Sequence, residues 1–181
     1  MNNKANAAYI DPNIDPPKIT KKVFLDVEFD DVKGNKEMGT IVIGLYGDVM
    51  PKAAENFASL CSNNNQYTYS GTTFYRVISD FSIQAGAVGD TSGKTGKSSL
   101  EGGKGFEPDN YNIKHTKQGL VSMAKAMDGT VDSRFFINVK DDAGWGDDRY
   151  AVVGIVLEGI DLVKSIERVP VQPPRNNPKV P

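Results

Sequence analysis

Short alternating strands punctuated by glycine, with only two stretches of helical spacing, constrain this chain more than any other feature. Val23, Leu25, Val27 and Phe29 alternate with Asp26 and Glu28, the period-two pattern of a half-buried strand. Gly34-Asn35 marks the hairpin connection after it, and Ile41 to Tyr46 is a nearly unbroken apolar run that reads as a buried strand. Pro51 opens a helix, where its missing N–H is harmless, and Ala53, Phe57, Leu60 and Cys61 share one helical face. Further strands are predicted over residues 72–78, 82–85, 120–124, 135–139 and 151–157. Leu162, Val163 and Ile166 predict a second helix within residues 159–169. Residues 86–105 are rich in glycine and lysine, lack an apolar period and read as a long surface loop. Residues 1–20, with Pro12, Pro16 and Pro17, read as an extended arm, and residues 170–181 as a proline-rich tail. The pattern predicts a mainly β fold over residues 21–181: a closed or nearly closed barrel with two helices. The strands are not separated regularly by helices, which argues against a doubly wound α/β sheet.

Composition removes many function classes. The 181 residues suit one domain, and a net charge of −2 gives no general nucleic-acid surface. No stretch approaches the roughly 18 apolar residues that span a bilayer. One cysteine, Cys61, forbids an internal disulfide; with one histidine, His115, it cannot build a zinc site of the usual kind. No nucleophile motif lies near His115. Gly96-Lys97-Ser98 and Gly93-Lys94-Thr95 look like the end of a phosphate-binding loop. The glycine required five residues earlier is Thr91 or Val88, and no helix start comes after. No metal or cofactor is expected. The N-terminus has no charged-then-apolar leader, although Ala5-Asn6-Ala7 has a small-x-small spacing seen at leader cleavage sites.

The most informative run is FYRVISDFSIQAG, residues 74–86. Arg76 interrupts an apolar strand-like segment. Such an arginine is either paired with an acid, Asp80 being close in sequence, or held for a task. This run resembles the central signature of the cyclophilins. Residues 49–57 resemble their first helix, and residues 69–74 the approach to the signature. Residues 119–124 and 133–137 resemble the strands across the groove, and Trp145 and Val152-Val153-Gly154 resemble the stretch downstream of those strands. The similarity runs in order from residue 22 to residue 169.

The resemblance implies a closed eight-stranded antiparallel barrel capped by two helices, and peptidyl-prolyl cis/trans isomerase activity on X-Pro bonds during folding or assembly. It implies Arg76 as the catalytic arginine and Gln84 as the residue that orients it. Phe81 and Phe136 match the aromatics around the proline ring, Met123 and Ala124 groove positions, and Trp145 the groove rim, where cyclosporin also contacts the fold. His115 matches a structural turn histidine. Uncatalysed X-Pro rotation takes tens to hundreds of seconds. A fixed guanidinium that stabilises the twisted amide more than the planar one accelerates it without metal, cofactor or nucleophile.

Departures cluster in the groove. Ser82 stands where the family has a pocket methionine, Gly146 a leucine, Tyr150 a histidine, Arg134 a glutamine and Lys125 an asparagine; the loop before Tyr150 is one residue longer. Loss of apolar surface, at about 25 cal/mol per Å², predicts binding weaker by about one to two kcal/mol, hence a re-tuned isomerase with weak cyclosporin affinity. Arg134 and Lys125 predict a preference for acidic residues near the proline. The alternative is a proline-binding assembly module with little turnover, held in a larger complex. Retained Arg76, Gln84, Phe81 and Phe136 favour the enzyme; Ser82, Arg134, Gly146 and Tyr150 favour the module. The family's closing C-terminal strand is missing from residues 170–181. Cytoplasm is the default compartment, and the arm with Ala5-Asn6-Ala7 resembles cyclophilins of an organelle lumen such as the chloroplast thylakoid.

Overall fold

The computed structural model describes residues 8–181, so the Ala5-Asn6-Ala7 triplet lies outside the described residues. Seven strands form one antiparallel sheet: β1 (Lys21–Asp30), β2 (Lys36–Leu45), β3 (Arg76–Ile78), β4 (Ser82–Ala85), β5 (Leu120–Lys125), β6 (Val131–Asn138) and β7 (Ala151–Glu158). Their order across the sheet is β1-β2-β7-β5-β6-β4-β3. Val23, Ile43, Val77, Ile83, Val121, Ile137 and Val153 all enter one core cluster. Every strand therefore points one face at the same interior, which requires the sheet to curl. Helices α1 (Pro51–Cys61) and α2 (Ile160–Ile166) complete the mainly β architecture that the alternation predicts.

Helix α1 starts at Pro51, and the free N–H groups of Lys52 and Ala53 donate to the two oxygens of Asp109, both at 2.9 Å. A carboxylate from a distant loop thus satisfies the helix start. The helix buries Phe57, which meets Tyr69 and Phe135 at ring-centroid distances of 5.0 Å each, a tight aromatic nucleus.

The expected eight-strand closure differs in detail. Seven strands ladder, and β1 and β3 are the two edges. The C-terminal segment folds instead into a two-strand ribbon, β8 (Val171–Gln172) and β9 (Asn177–Pro178). It reaches β3 through Val77 N–H donating to the Asn176 carbonyl at 2.9 Å. Pro170, Pro173, Pro174, Pro178 and Pro181 remove the donors that a longer ladder needs.

Three boundaries also shift, β6 beginning at Val131 rather than at residue 135. β2 begins at Lys36 rather than Ile41, because its first half is solvent-facing and lacks the apolar signal. β3 begins at Arg76, with residues 72–75 outside the ladder.

Residues 8–20 lie against the sheet's loops. Ile10 pairs with the 112–114 segment, its N–H reaching Asn112 O at 2.8 Å and its carbonyl accepting from Lys114 N–H at 2.9 Å. Thr116 donates its hydroxyl to Asp11 at 2.6 Å, and Tyr9 donates to Asp148 at 2.9 Å.

Candidate functional site

Strand register builds the site. Arg76 lies opposite Gln84, Gln84 opposite Phe136, and Phe136 opposite Ser122. Directly opposed residues share a face, so these four side chains form one row across β3, β4, β6 and β5. Their neighbours Val77, Ile83, Ile137 and Val121 point into the core. The row therefore runs along the outer face of a sheet whose inner face is packed.

Arg76 is exposed, and among the described residues it forms no salt bridge. Asp80 is not its partner. It sits in a turn with φ of 55° and donates its backbone N–H to Glu167 at 3.0 Å. Of the two readings of an arginine in this strand, pairing to Asp80 is excluded.

Beside the row stands an aromatic cluster. Trp145 stacks on Phe81 at 4.3 Å between ring centroids and lies 5.7 Å from Phe136. Tyr150 meets both Phe136 and Trp145 edge-on, at 5.1 and 5.9 Å. Trp145 is 37% exposed, so one side of this cluster is open to solvent. Leucine could not simply replace Gly146. A Cβ there would fall 2.9–3.0 Å from atoms of the His115 ring. The apolar surface that Gly146 lacks is supplied next door, by the indole of Trp145 lying on Phe81. The missing methionine has a different outcome. Ser82 and Asn138 face each other across β4 and β6, both fully buried. Ser82 Oγ and both side-chain polar atoms of Asn138 have no hydrogen-bond partner among the described residues. An unsatisfied buried group costs about 1–3 kcal/mol, so this is a weak spot next to Phe81 and Phe136.

The other expected groove residues divide. Ala124 is half-buried and Lys125 exposed, with its ammonium 5.2 Å from the Tyr111 ring centre. Met123 is fully buried opposite Phe135 on the core face, and does not join the row. Arg134 is 7% exposed and engaged on all sides. It donates to Asp132 from Nε at 3.1 Å and from Nη2 at 2.8 Å, and from Nη1 to the carbonyls of Lys94 at 2.6 Å and Gly93 at 3.3 Å. Burial opposes its charge, but the hydrogen bonds and charge of Asp132 outweigh it and hold the guanidinium protonated. It is a clamp on the 93–94 loop, not a free positive charge.

His115 holds the cluster's loop, a structural role in keeping with the turn histidine that it matches in sequence. Its backbone N–H and ring Nδ1 both reach Asp147 Oδ1, at 2.8 and 3.0 Å, and its carbonyl accepts from Ala143 N–H at 2.8 Å. Nε2 lies 2.9 Å from Ser122 Oγ. A carboxylate only accepts, so Nδ1 carries the proton and Nε2 accepts from Ser122. Burial, the largest influence, pushes the imidazole below its ordinary 6.5, against the Asp147 contact that raises it. The available clue was that this single histidine precedes an Asp-rich loop.

Fold and site together define a curled antiparallel sheet that presents an arginine, unpaired among the described residues, beside an aromatic cluster on its outer face. Comparison with known proteins narrows that class. Residues 25–181 match the sequence profile of the family described as cyclophilin type peptidyl-prolyl cis-trans isomerase/CLD. Peptidyl-prolyl cis-trans isomerase B of Saccharomyces cerevisiae is 41% identical over 156 residues, covering 86% of this chain and 73% of that protein. Peptidyl-prolyl cis-trans isomerase CYP21-1 of Arabidopsis thaliana is 40% identical over 161 residues, covering 85% and 69%. The chain belongs to the cyclophilin-type peptidyl-prolyl cis-trans isomerases.

Proposed function

We propose that this chain catalyses cis/trans isomerisation of X-Pro bonds in polypeptide segments laid across the Arg76–Gln84–Phe136 row. The observation that carries the reading is Arg76 itself: exposed, unpaired among the described residues, and in register with Gln84 and Phe136. Rotation about the X-Pro bond breaks amide resonance and localises the lone pair on the prolyl nitrogen. The guanidinium of Arg76 donates to that nitrogen and binds the twisted amide more strongly than the planar one. Arginine suits the task because it stays charged and presents a rigid fork of donors. Gln84, one strand further in, restrains that fork. Phe81, Phe136, Trp145 and Tyr150 hold the proline ring, and Ala124 and Lys125 flank the bound backbone. No bond to the substrate is made or broken, so no nucleophile is required.

The test is cis/trans exchange of a short Ala-Pro peptide measured by NMR. The intact protein accelerates exchange, and Arg76→Ala loses about 10²-fold of that acceleration, the scale of removing one transition-state donor. In the same assay cyclosporin inhibits only weakly, since Ser82 contributes little apolar surface at the pocket and Trp145 already covers the face of Phe81.

One observation favours a second reading. Trp145 already lies on Phe81, so a proline ring must displace or share that face. A protein that binds the peptide yet leaves its exchange rate unchanged, with Arg76→Ala the same, is a proline-recognition module held for assembly.

A further inference from the structure

A cavity of about 430 Å³ adjoins the Arg76–Gln84 pair. Arg76 and Gln84 form one wall, Gly93 and Lys94 another, and Pro174 and Arg175 of the C-terminal ribbon a third. Three of these residues are cationic, and no lining residue is acidic. None of the three forms a salt bridge among the described residues. The nearby acids are engaged elsewhere. Asp90 accepts from the hydroxyls of Ser92 at 2.6 Å and Thr95 at 2.8 Å, and from their backbone N–H groups, while Asp132 is held by Arg134.

Both outer walls are anchored. The Arg134 clamp fixes the Lys94 and Gly93 carbonyls. The ribbon is fixed by Val77 N–H to Asn176 O and by the Asn177 side-chain amide donating to the Tyr75 carbonyl. Lys94 and Arg175 thus ride on held backbone and face one space with Arg76. Like charges gathered without a counterion repel, and an anion placed among them relieves the repulsion.

We propose that this cavity is a subsite for an acidic side chain, Asp or Glu, of the substrate segment, borne on a residue flanking the proline. The inference rests on the reading that the X-Pro bond lies across Arg76 and Phe136. It relocates the acid preference expected from Arg134 and Lys125 to Lys94 and Arg175. Arg134 becomes a positioning residue for the Lys94 wall.

The test compares Ala-Pro peptides with Glu, Gln or Lys placed one or two residues to either side of the proline. Exchange rates and NMR-titrated affinities are both measured at low ionic strength. At one of those positions the Glu peptide is favoured over Gln by about five-fold, and added salt shrinks the ratio. In the double variant Lys94→Glu, Arg175→Glu the order reverses in favour of Lys. Lys33→Glu, in the distant β1–β2 hairpin, makes a charge change away from the cavity and keeps the Glu preference. A Glu-to-Gln ratio near one at every position, no peptide binding at all, or a preference that survives the double reversal overturns the subsite. Accelerated exchange with no charge preference sinks the subsite and leaves the isomerase. A Glu preference in affinity without acceleration sinks the isomerase and leaves the subsite.

Discussion

The two flanks of the sheet are built differently. On one, β6 runs between β4 and β5, and all eight of its residues are buried. Its inner face carries Phe135 and Ile137 into the core, and its outer face carries Phe136 into the site. On the other, β1 buries only Val23, otherwise carries exposed and half-buried residues, and among the described residues has no strand on its outer side. Val27 and Phe29 line a cleft of about 450 Å³ with Phe74, Ile166, Val169 and Pro178. The site straddles the two regimes. Its aromatic half is anchored by Phe136 on β6, a strand laddered on both sides, with Phe81, Trp145 and Tyr150 on the turns and loops beside it, and its arginine sits on β3, a three-residue edge. Phe136 is therefore held by neighbours on both sides, whereas the guanidinium is positioned by one strand and by the ribbon beside it.

That contrast can be broken by experiment. Phe135→Ala removes a buried ring between Phe57 and Tyr69 and is expected to cost about 3–5 kcal/mol in chemical denaturation. Phe29→Ala, on the half-buried edge strand, is expected to cost about 1 kcal/mol. Equal costs would mean that the β1 flank is as tightly packed as β6, and the distinction would fall. A smaller effect sharpens it further. The buried, neutral His115 binds a proton less readily folded than unfolded. Its contribution is therefore complete above its ordinary 6.5 and is lost as pH falls below that value towards the lower folded one. The thermal midpoint should decline as pH falls from about 6.5 to 5, before most carboxylates titrate. His115→Gln should flatten that limb. A midpoint independent of pH over this range would show that the Trp145 loop does not depend on the neutral ring.

Much of this was legible in the chain. Alternation in β1, the proline that opens α1 and the Arg76-to-Gln84 spacing all encode local geometry, which sequence reports directly. What escaped was long-range. Met123 looks like a groove residue, but register with Phe135, just before an irregularity in the β5–β6 pairing, turns it to the core. Arg134 reads as a free charge, although Asp132, two residues away on the same strand face, was a signal that the pair could close on itself. Gly146 reads as a loss of pocket surface, and only the His115 ring packed against it shows why a side chain is excluded. Within residues 170–181 the short ribbon in place of a longer strand follows from the prolines, whereas the route that brings Arg175 beside Arg76 depends on contacts no local pattern carries.

The stacking of Trp145 on Phe81 has an optical consequence. The chain contains a single tryptophan, and it sits on the face of Phe81 where the proposed function places the proline ring. Its emission comes from one environment, with no second indole to dilute it. A change in intensity or wavelength on adding peptide therefore reports occupancy of that face alone. The protein carries its own gauge of pocket filling, readable during turnover without any attached label.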